Sequence, residues 1–192
     1  MEHRSKIFQS CHPSQCRTLA SLSYDDAQCI VRVCKNLKKL VLSCDFYGRA
    51  IRLIVSSLSH CLEVLWLEGR NYNDSMIQEI SKCHRLRKLG LNHVENITPF
   101  GLKFIGRLSG LEKLLLFHAN NITPRCFADF FGNKNLKNLN YVNLSGCKGA
   151  DKTVEKAVRS SCPKVREVIL DSSSSKSSAY VHFGIARGWN DS

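Results

Sequence analysis

Ten cysteines and seven histidines are the side chains of this 192-residue chain best suited to hold a metal or act as nucleophiles, and their spacing decides which chemistry is open to them. Cys11 and Cys16, like Cys29 and Cys34, are separated by four residues, wider than the C-x2-C of common zinc sites. Cys29 and Cys34 also fall on an expected helix, so no metal is expected. His93 and His118 lie 25 residues apart and should stack in adjacent turns after their strands, but no third ligand stands in their column. Catalysis has equally little to stand on. The chain contains no G-x-S-x-G, no P-loop, no H-E-x-x-H and no G-x-G-x-x-G after a strand, which are the local patterns that position a nucleophile, a phosphate or a zinc ion. No catalytic residues and no cofactor are therefore expected.

The tetrapeptide Asn-Ile-Thr-Pro occurs at 96–99 and again at 121–124. Both copies fit the N-x-[ST] acceptor pattern, as do Asn73 and Asn143, but acceptors need a secretory route. The segment MEHRSKIFQSCHPSQC has no apolar export core, and nowhere do about 18 uninterrupted apolar residues occur. At about 5% of the chain, the cysteines fall below the roughly 8–10% of a disulfide scaffold. They are read as reduced thiols in a cytoplasmic or nuclear protein. NITP then reads as a helix start: Thr caps a first-turn N–H, and Pro at the first helical position gives up a donor that has no partner there. Two equivalent helices at a fixed interval point to a repeat.

The elements that would position these residues follow that interval. Six segments spell L-x-x-L-x-L or a close variant: Leu37/Leu40/Leu42, Leu62/Leu65/Leu67, Leu86/Leu89/Leu91, Leu111/Leu114/Leu116, Leu139/Val142/Leu144 and Val165/Val168/Leu170. Their starts are 25, 24, 25, 28 and 26 residues apart, within the roughly 20–29 residue period of leucine-rich repeats. The alternation predicts short strands. Between them, helical spacing recurs, as in Met76, Ile77 and Ile80, or Val154 and Val158. A unit this small cannot bury its own apolar side, so the units must stack. The expected fold is α/β, a right-handed leucine-rich-repeat solenoid or horseshoe with parallel strands on its concave face and helices on its convex face. Residues 34–170 should form the solenoid, 1–33 an N-terminal segment with a degenerate first repeat capped at Asp25 or Asp26, and 171–192 a Ser-rich mobile tail whose Tyr180, Phe183 and Trp189 cap the last repeat.

Cysteine placement narrows the class. Cys34, Cys83 and Cys162 each stand three residues before a repeat's first apolar position, and the fifth repeat, LNYVNLSGCKGADKTVEKAVRSSCPKV, adds Cys147 after its strand. This stretch resembles the cysteine-containing leucine-rich repeats of F-box/leucine-rich-repeat proteins, the substrate receptors of SCF ubiquitin ligases. The resemblance covers residues 34–170 and implies a module that recognises protein substrates, with ligase components as partners. Residues 1–33 do not resemble an F-box. A non-ligase scaffold or inhibitor is the alternative, and a basic nucleic-acid-binding protein stands behind it.

With the fourth and sixth positions buried, positions three, five and seven should face away from the helices. The expected partner-binding residues are Lys39, Trp66, Lys88, Lys113, Leu115, Phe117, Tyr141 and Asn143, an apolar and aromatic set interleaved with cations. Its partner would be a protein segment with acidic and apolar character. The formal net charge is +12, and such a charge attracts acidic partners without naming them. The basic residues look scattered along the sequence and match no nucleic-acid motif, which argues against nucleic acid; no membrane association is expected.

Overall fold

The computed structural model of the chain describes residues 15–18, 22–43, 48–69 and 73–170. Seven strands form one sheet: β1 (Gln15–Thr18), β2 (Lys39–Ser43), β3 (Val64–Glu68), β4 (Lys88–Asn92), β5 (Lys113–Leu116), β6 (Tyr141–Asn143) and β7 (Glu167–Ile169). Their order in the sheet is their order in the chain, and every pairing is parallel. Six helices alternate with them: α1 (Tyr24–Val33), α2 (Gly48–Leu58), α3 (Asp74–Ile80), α4 (Pro99–Ile105), α5 (Pro124–Gly132) and α6 (Lys152–Ser161). Parallel neighbours need a crossover between them, and a helix supplies it.

Local sequence starts most of these helices. Thr98 and Thr123 are the N-caps of α4 and α5, accepting from the N–H groups of Phe100 and Cys126, with proline following each. The repeated tetrapeptide is thus a repeated helix start. Asn73 caps α3 and Asp151 caps α6 in the same manner. At α1 the cap is Ser23, not Asp25 or Asp26; Asp26 sits three residues on and closes a capping box with Ser23. That box satisfies two first-turn donors reciprocally, which a lone aspartate cap would not.

The first repeat carries more structure than its sequence suggests. β1 pairs with β2 so that Cys16 and Thr18 fall opposite Leu40 and Leu42, the places that leucines hold in later units. The tail at 171–192 lies outside the described residues, as do Cys11 and the three aromatic residues expected to cap the last repeat.

The core is one continuous layer between sheet and helices. Leu40 and Leu42, Leu65 and Leu67, Leu89 and Leu91, Leu114 and Leu116, and Val142 and Leu144 are all buried in a single cluster with Ile30, Ile54, Ile77, Ile105, Phe127 and Val158 from the helices. Every helix contributes to that cluster. A second, separate cluster of Val41, Trp66, Leu115 and Phe117, with Val64 and Tyr141 packed against it, lies on the strand side chains that alternate with the first set. The sheet therefore has one face under helices and one face turned away from them, as the period-two alternation of strands requires.

Candidate functional site

On the face turned away from the helices, the sheet register sets side chains 24 to 28 residues apart in sequence side by side. One row runs Lys39, Val64, Lys88, Lys113, Tyr141, Glu167. The next runs Val41, Trp66, Gly90, Leu115, Asn143, Ile169. Ser43, Glu68 and Asn92 begin a third, which Phe117 extends by donating its N–H to the carbonyl of Leu91. All eight residues singled out from sequence lie in these rows.

Their exposure differs from the expectation. Trp66 is 0% exposed, Phe117 1%, and Leu115 and Asn143 4% each, so these four are packed interior rather than open contacts. Gly90 explains the tryptophan. With no side chain at that place, the indole lies across β4, and a Cβ there would overlap its ring carbons. The ring then meets Phe117 edge-on, with centroids 6.0 Å apart. Asn143 is held by its own turn: its Oδ1 accepts from the N–H and hydroxyl of Ser145 at 2.9 and 2.7 Å. Lys39, Lys88, Lys113 and Tyr141 are half-buried and border this packed centre. Burial holds the Lys88 ammonium below the usual lysine range, and the like charges of Lys113 and Lys39 add to the effect. Three cations along one row, with an apolar floor beside them, favour an approaching carboxylate.

One rim of the face is built from a polar chain. Asn92 Nδ2 donates to Glu68 Oε1 at 3.3 Å, and the His93 N–H donates to Asn92 Oδ1 at 2.9 Å. His93 and His118 both adopt φ of 58°, and their rings stack 5.1 Å apart at 13°. The stack expected from their spacing is present. His118 rests in turn against Gly146 (φ 73°), where a Cβ would meet its ring at 2.7 Å. Burial holds the His118 imidazole below the usual histidine range, with His93 the next cause.

Position two of each unit carries a feature that sequence reading missed. Starting from the Lys38 carbonyl, Glu63, Arg87, Glu112, Asn140 and Arg166 form a backbone ladder in which the N–H of each of these five reaches the previous unit's carbonyl, at 2.7 to 2.8 Å. The side chains alternate in charge from Lys38 to Glu112, with ion pairs Lys38–Glu63 at 3.0 Å and Arg87–Glu112 at 2.5 Å. The signal was legible as opposite charges at repeat spacing. Both cations are about three-fifths exposed, so each pair contributes about 0–1 kcal/mol and serves register more than stability.

The cysteines behave as packing groups. Cys34, Cys61, Cys83, Cys147 and Cys162 are buried, and these five together with Cys29 and Cys126 form no disulfide. Cys147 Sγ lies 3.3 Å from the Leu116 carbonyl, to which it donates, and accepts the Ala119 N–H at 3.3 Å, closing the turn after β6 onto the preceding unit. Burial pushes the Cys83 and Cys147 thiols up to about 12, which suppresses the thiolate that nucleophilic or metal chemistry needs. Among the described residues, no group of three or more His, Cys, Asp or Glu side chains converges as a metal site.

No protein-family model matches the chain, and no curated protein matches it. Among solved structures it is similar to a chain in the crystal structure of the Rad7 and Elc1 complex in yeast, with a TM-score of 0.53 and 16% sequence identity over 79% of this chain. The match covers 48% of that chain, so this protein spans about half its length. At such identity the likeness is one of fold. No helix among the described residues is long and apolar enough to cross a membrane.

Proposed function

We propose that the chain is a protein-binding leucine-rich-repeat module, a right-handed horseshoe whose strand-lined concave face receives an extended, partly acidic segment of another protein. The observation that carries this reading is the unbroken sequence-order parallel sheet with helices on one face and, on the other, half-buried lysines and Tyr141 bordering a packed apolar cluster. Stacked units of this kind present long continuous surfaces suited to extended partners. The function is binding and not catalysis, in the cytoplasm or nucleus.

The resemblance of the cysteine pattern to F-box/leucine-rich-repeat proteins supports a narrower version, in which the bound segment belongs to a substrate for ubiquitination. One solved structure to which this chain is similar is a complex of Rad7 and Elc1, which accords with a partner-dependent role. A scaffold or inhibitor using the same face is the second reading.

Affinity capture with the full chain, read by mass spectrometry, tests both. Lys88→Glu with Lys113→Glu is the informative variant, because those side chains are only half-buried, whereas truncating the fully buried Trp66 would damage the core of the face. Loss of specific partners in the charge-reversed variant is expected. Recovery of a ligase adaptor among the partners supports the substrate-receptor version, and its consistent absence, with other partners retained, supports the scaffold. Partners that bind the variant as well as the parent exclude this face.

A further inference from the structure

The net charge of +12 is not spread evenly over the fold. Six turns lead from a helix into the next strand, at 34–38, 59–63, 81–87, 106–112, 133–140 and 162–166. Because the strands are parallel and in register, these turns all lie along one edge of the sheet, and the position-two ladder ties their last residues into a line. They carry ten lysines and arginines against two carboxylates, Glu63 and Glu112. The turns of the opposite edge, from strand to helix, carry among the described residues Lys148 alone against Glu95 and Asp151.

The ten cations fall into two groups. Lys35, Arg85, Lys134, Lys137 and Arg166 are exposed, and none of them meets a carboxylate among the described residues. Lys38, Lys82 and Arg87 are paired with Glu63, Glu79 and Glu112. Arg107 lies over the Phe104 ring at 4.8 Å, and Lys164 donates to Asn138 Oδ1 at 2.8 Å, all five remaining exposed. The ten lie in the turns before β2, β4, β5, β6 and β7, while the turn before β3 carries Glu63 and no lysine or arginine.

The make-up of this edge selects its partner. A stable protein interface needs buried aromatic or aliphatic anchors, and the exposed large apolar side chains of the described residues, Tyr24, Val33 and Phe100, all lie outside these turns. Insertion at a membrane surface needs the same anchors, and stacking on single-stranded bases needs aromatic rings. Solvated cations without anchors match a regularly charged phosphate backbone, where neutralisation releases counterions and no base is read. We propose that this edge binds the phosphodiester backbone of duplex nucleic acid without sequence preference, as a second surface independent of the partner-binding face.

The test is binding of a fluorescent mixed-sequence DNA duplex of about 20 base pairs to the full chain, followed by polarisation from about 50 to 300 mM salt. Affinity should fall linearly on log–log axes, with a slope of about −4.5 if Lys35, Arg85, Lys134, Lys137 and Arg166 each meet one phosphate. Arg85→Glu with Lys137→Glu should make the slope shallower by about 2 for every duplex tried. Arg85→Gln with Lys137→Gln, which avoids introducing acids, should move it the same way with an unchanged melting temperature. Lys152→Glu with Lys156→Glu, an equal charge change on α6, should leave the slope where it was. A flat salt response overturns the proposal, as does an equal loss in the α6 variant, which would assign binding to overall charge. Equal or tighter binding to polyglutamate, or to vesicles of phosphatidylcholine and phosphatidylserine, overturns the nucleic-acid assignment in favour of an acidic protein or a lipid surface.

Discussion

Gly90 lies directly beneath the indole of Trp66, so close that a Cβ at position 90 would overlap the ring carbons Cε3 and Cζ3. The pair sits at the centre of the face turned away from the helices, where Trp66 is fully buried and edge-on to Phe117. The missing side chain on β4 is what lets the large one on β3 lie flat.

Gly90→Ala should therefore destabilise the protein by about 1–3 kcal/mol, the usual cost of overpacking, measured by urea denaturation followed by far-ultraviolet circular dichroism. Combined with Trp66→Leu, the same substitution should cost little more than Trp66→Leu alone. A Gly90→Ala penalty of equal size in both backgrounds would show that the two positions do not touch.

The caps of α4 and α5 should differ in strength although their tetrapeptides are identical. Thr123 caps its own helix through the Cys126 N–H at 3.3 Å. Thr98 also donates its N–H to Asp74 Oδ1 at 2.9 Å and its hydroxyl to Asp74 Oδ2, tying α4 to α3. Thr123→Ala is expected to cost about 1 kcal/mol and Thr98→Ala about 2. Asp74→Ala and Thr98→Ala should be non-additive in a double-mutant cycle, since both remove the bond from the Thr98 hydroxyl to Asp74 Oδ2.

Thiol chemistry should divide the cysteines by burial. With Cys83 and Cys147 pushed up to about 12, iodoacetamide near neutral pH should modify the partly exposed Cys29 and Cys126 before Cys83 and Cys147, and mass spectrometry of the folded protein would locate the adducts. A raised folded pKa means the unfolded chain gives up its proton earlier. The stability these two thiols contribute is thus complete below about pH 9 and is lost as pH rises toward 12, at about 1.4 kcal/mol per pH unit for each group. Cys83→Ala with Cys147→Ala should flatten that alkaline loss even if it lowers stability at neutral pH.

The stacked histidines predict the opposite dependence. His118 is held below the ordinary histidine range by burial and then by His93, so the unfolded chain accepts the proton more readily. Stability from this site is present above about pH 6.5 and declines as pH falls through the depressed folded value. In His93→Gln, the His118 imidazole should titrate at higher pH by nuclear magnetic resonance, with a smaller acid loss. An unchanged His118 titration would mean the rings are not electrostatically coupled.

How much of this was legible before folding can be judged residue by residue. The 25-residue spacing of NITP announced α4 and α5, and the leucine pattern placed β2 to β7 with Lys39, Val64, Lys88 and Lys113 in one row. β1 was less visible because Gln15–Thr18 contains none of the leucines that mark later strands; what makes it a strand is pairing with β2. The alternating charges of Lys38, Glu63, Arg87 and Glu112 were present in the sequence but acquire meaning only once the ladder brings them within ion-pair distance.

Periodicity alone determined which side chains become neighbours, because parallel strands at a constant spacing place equivalent residues side by side whatever their chemistry. Accessibility was decided by tertiary structure, since Trp66 is buried through an absence on the adjoining strand and Asn143 through its own turn. The placement of charge was decided there too. Lysines and arginines that look dispersed along the chain return to the same edge in five of the six helix-to-strand turns, and only the coiling of the backbone gathers that net charge on one side of the sheet.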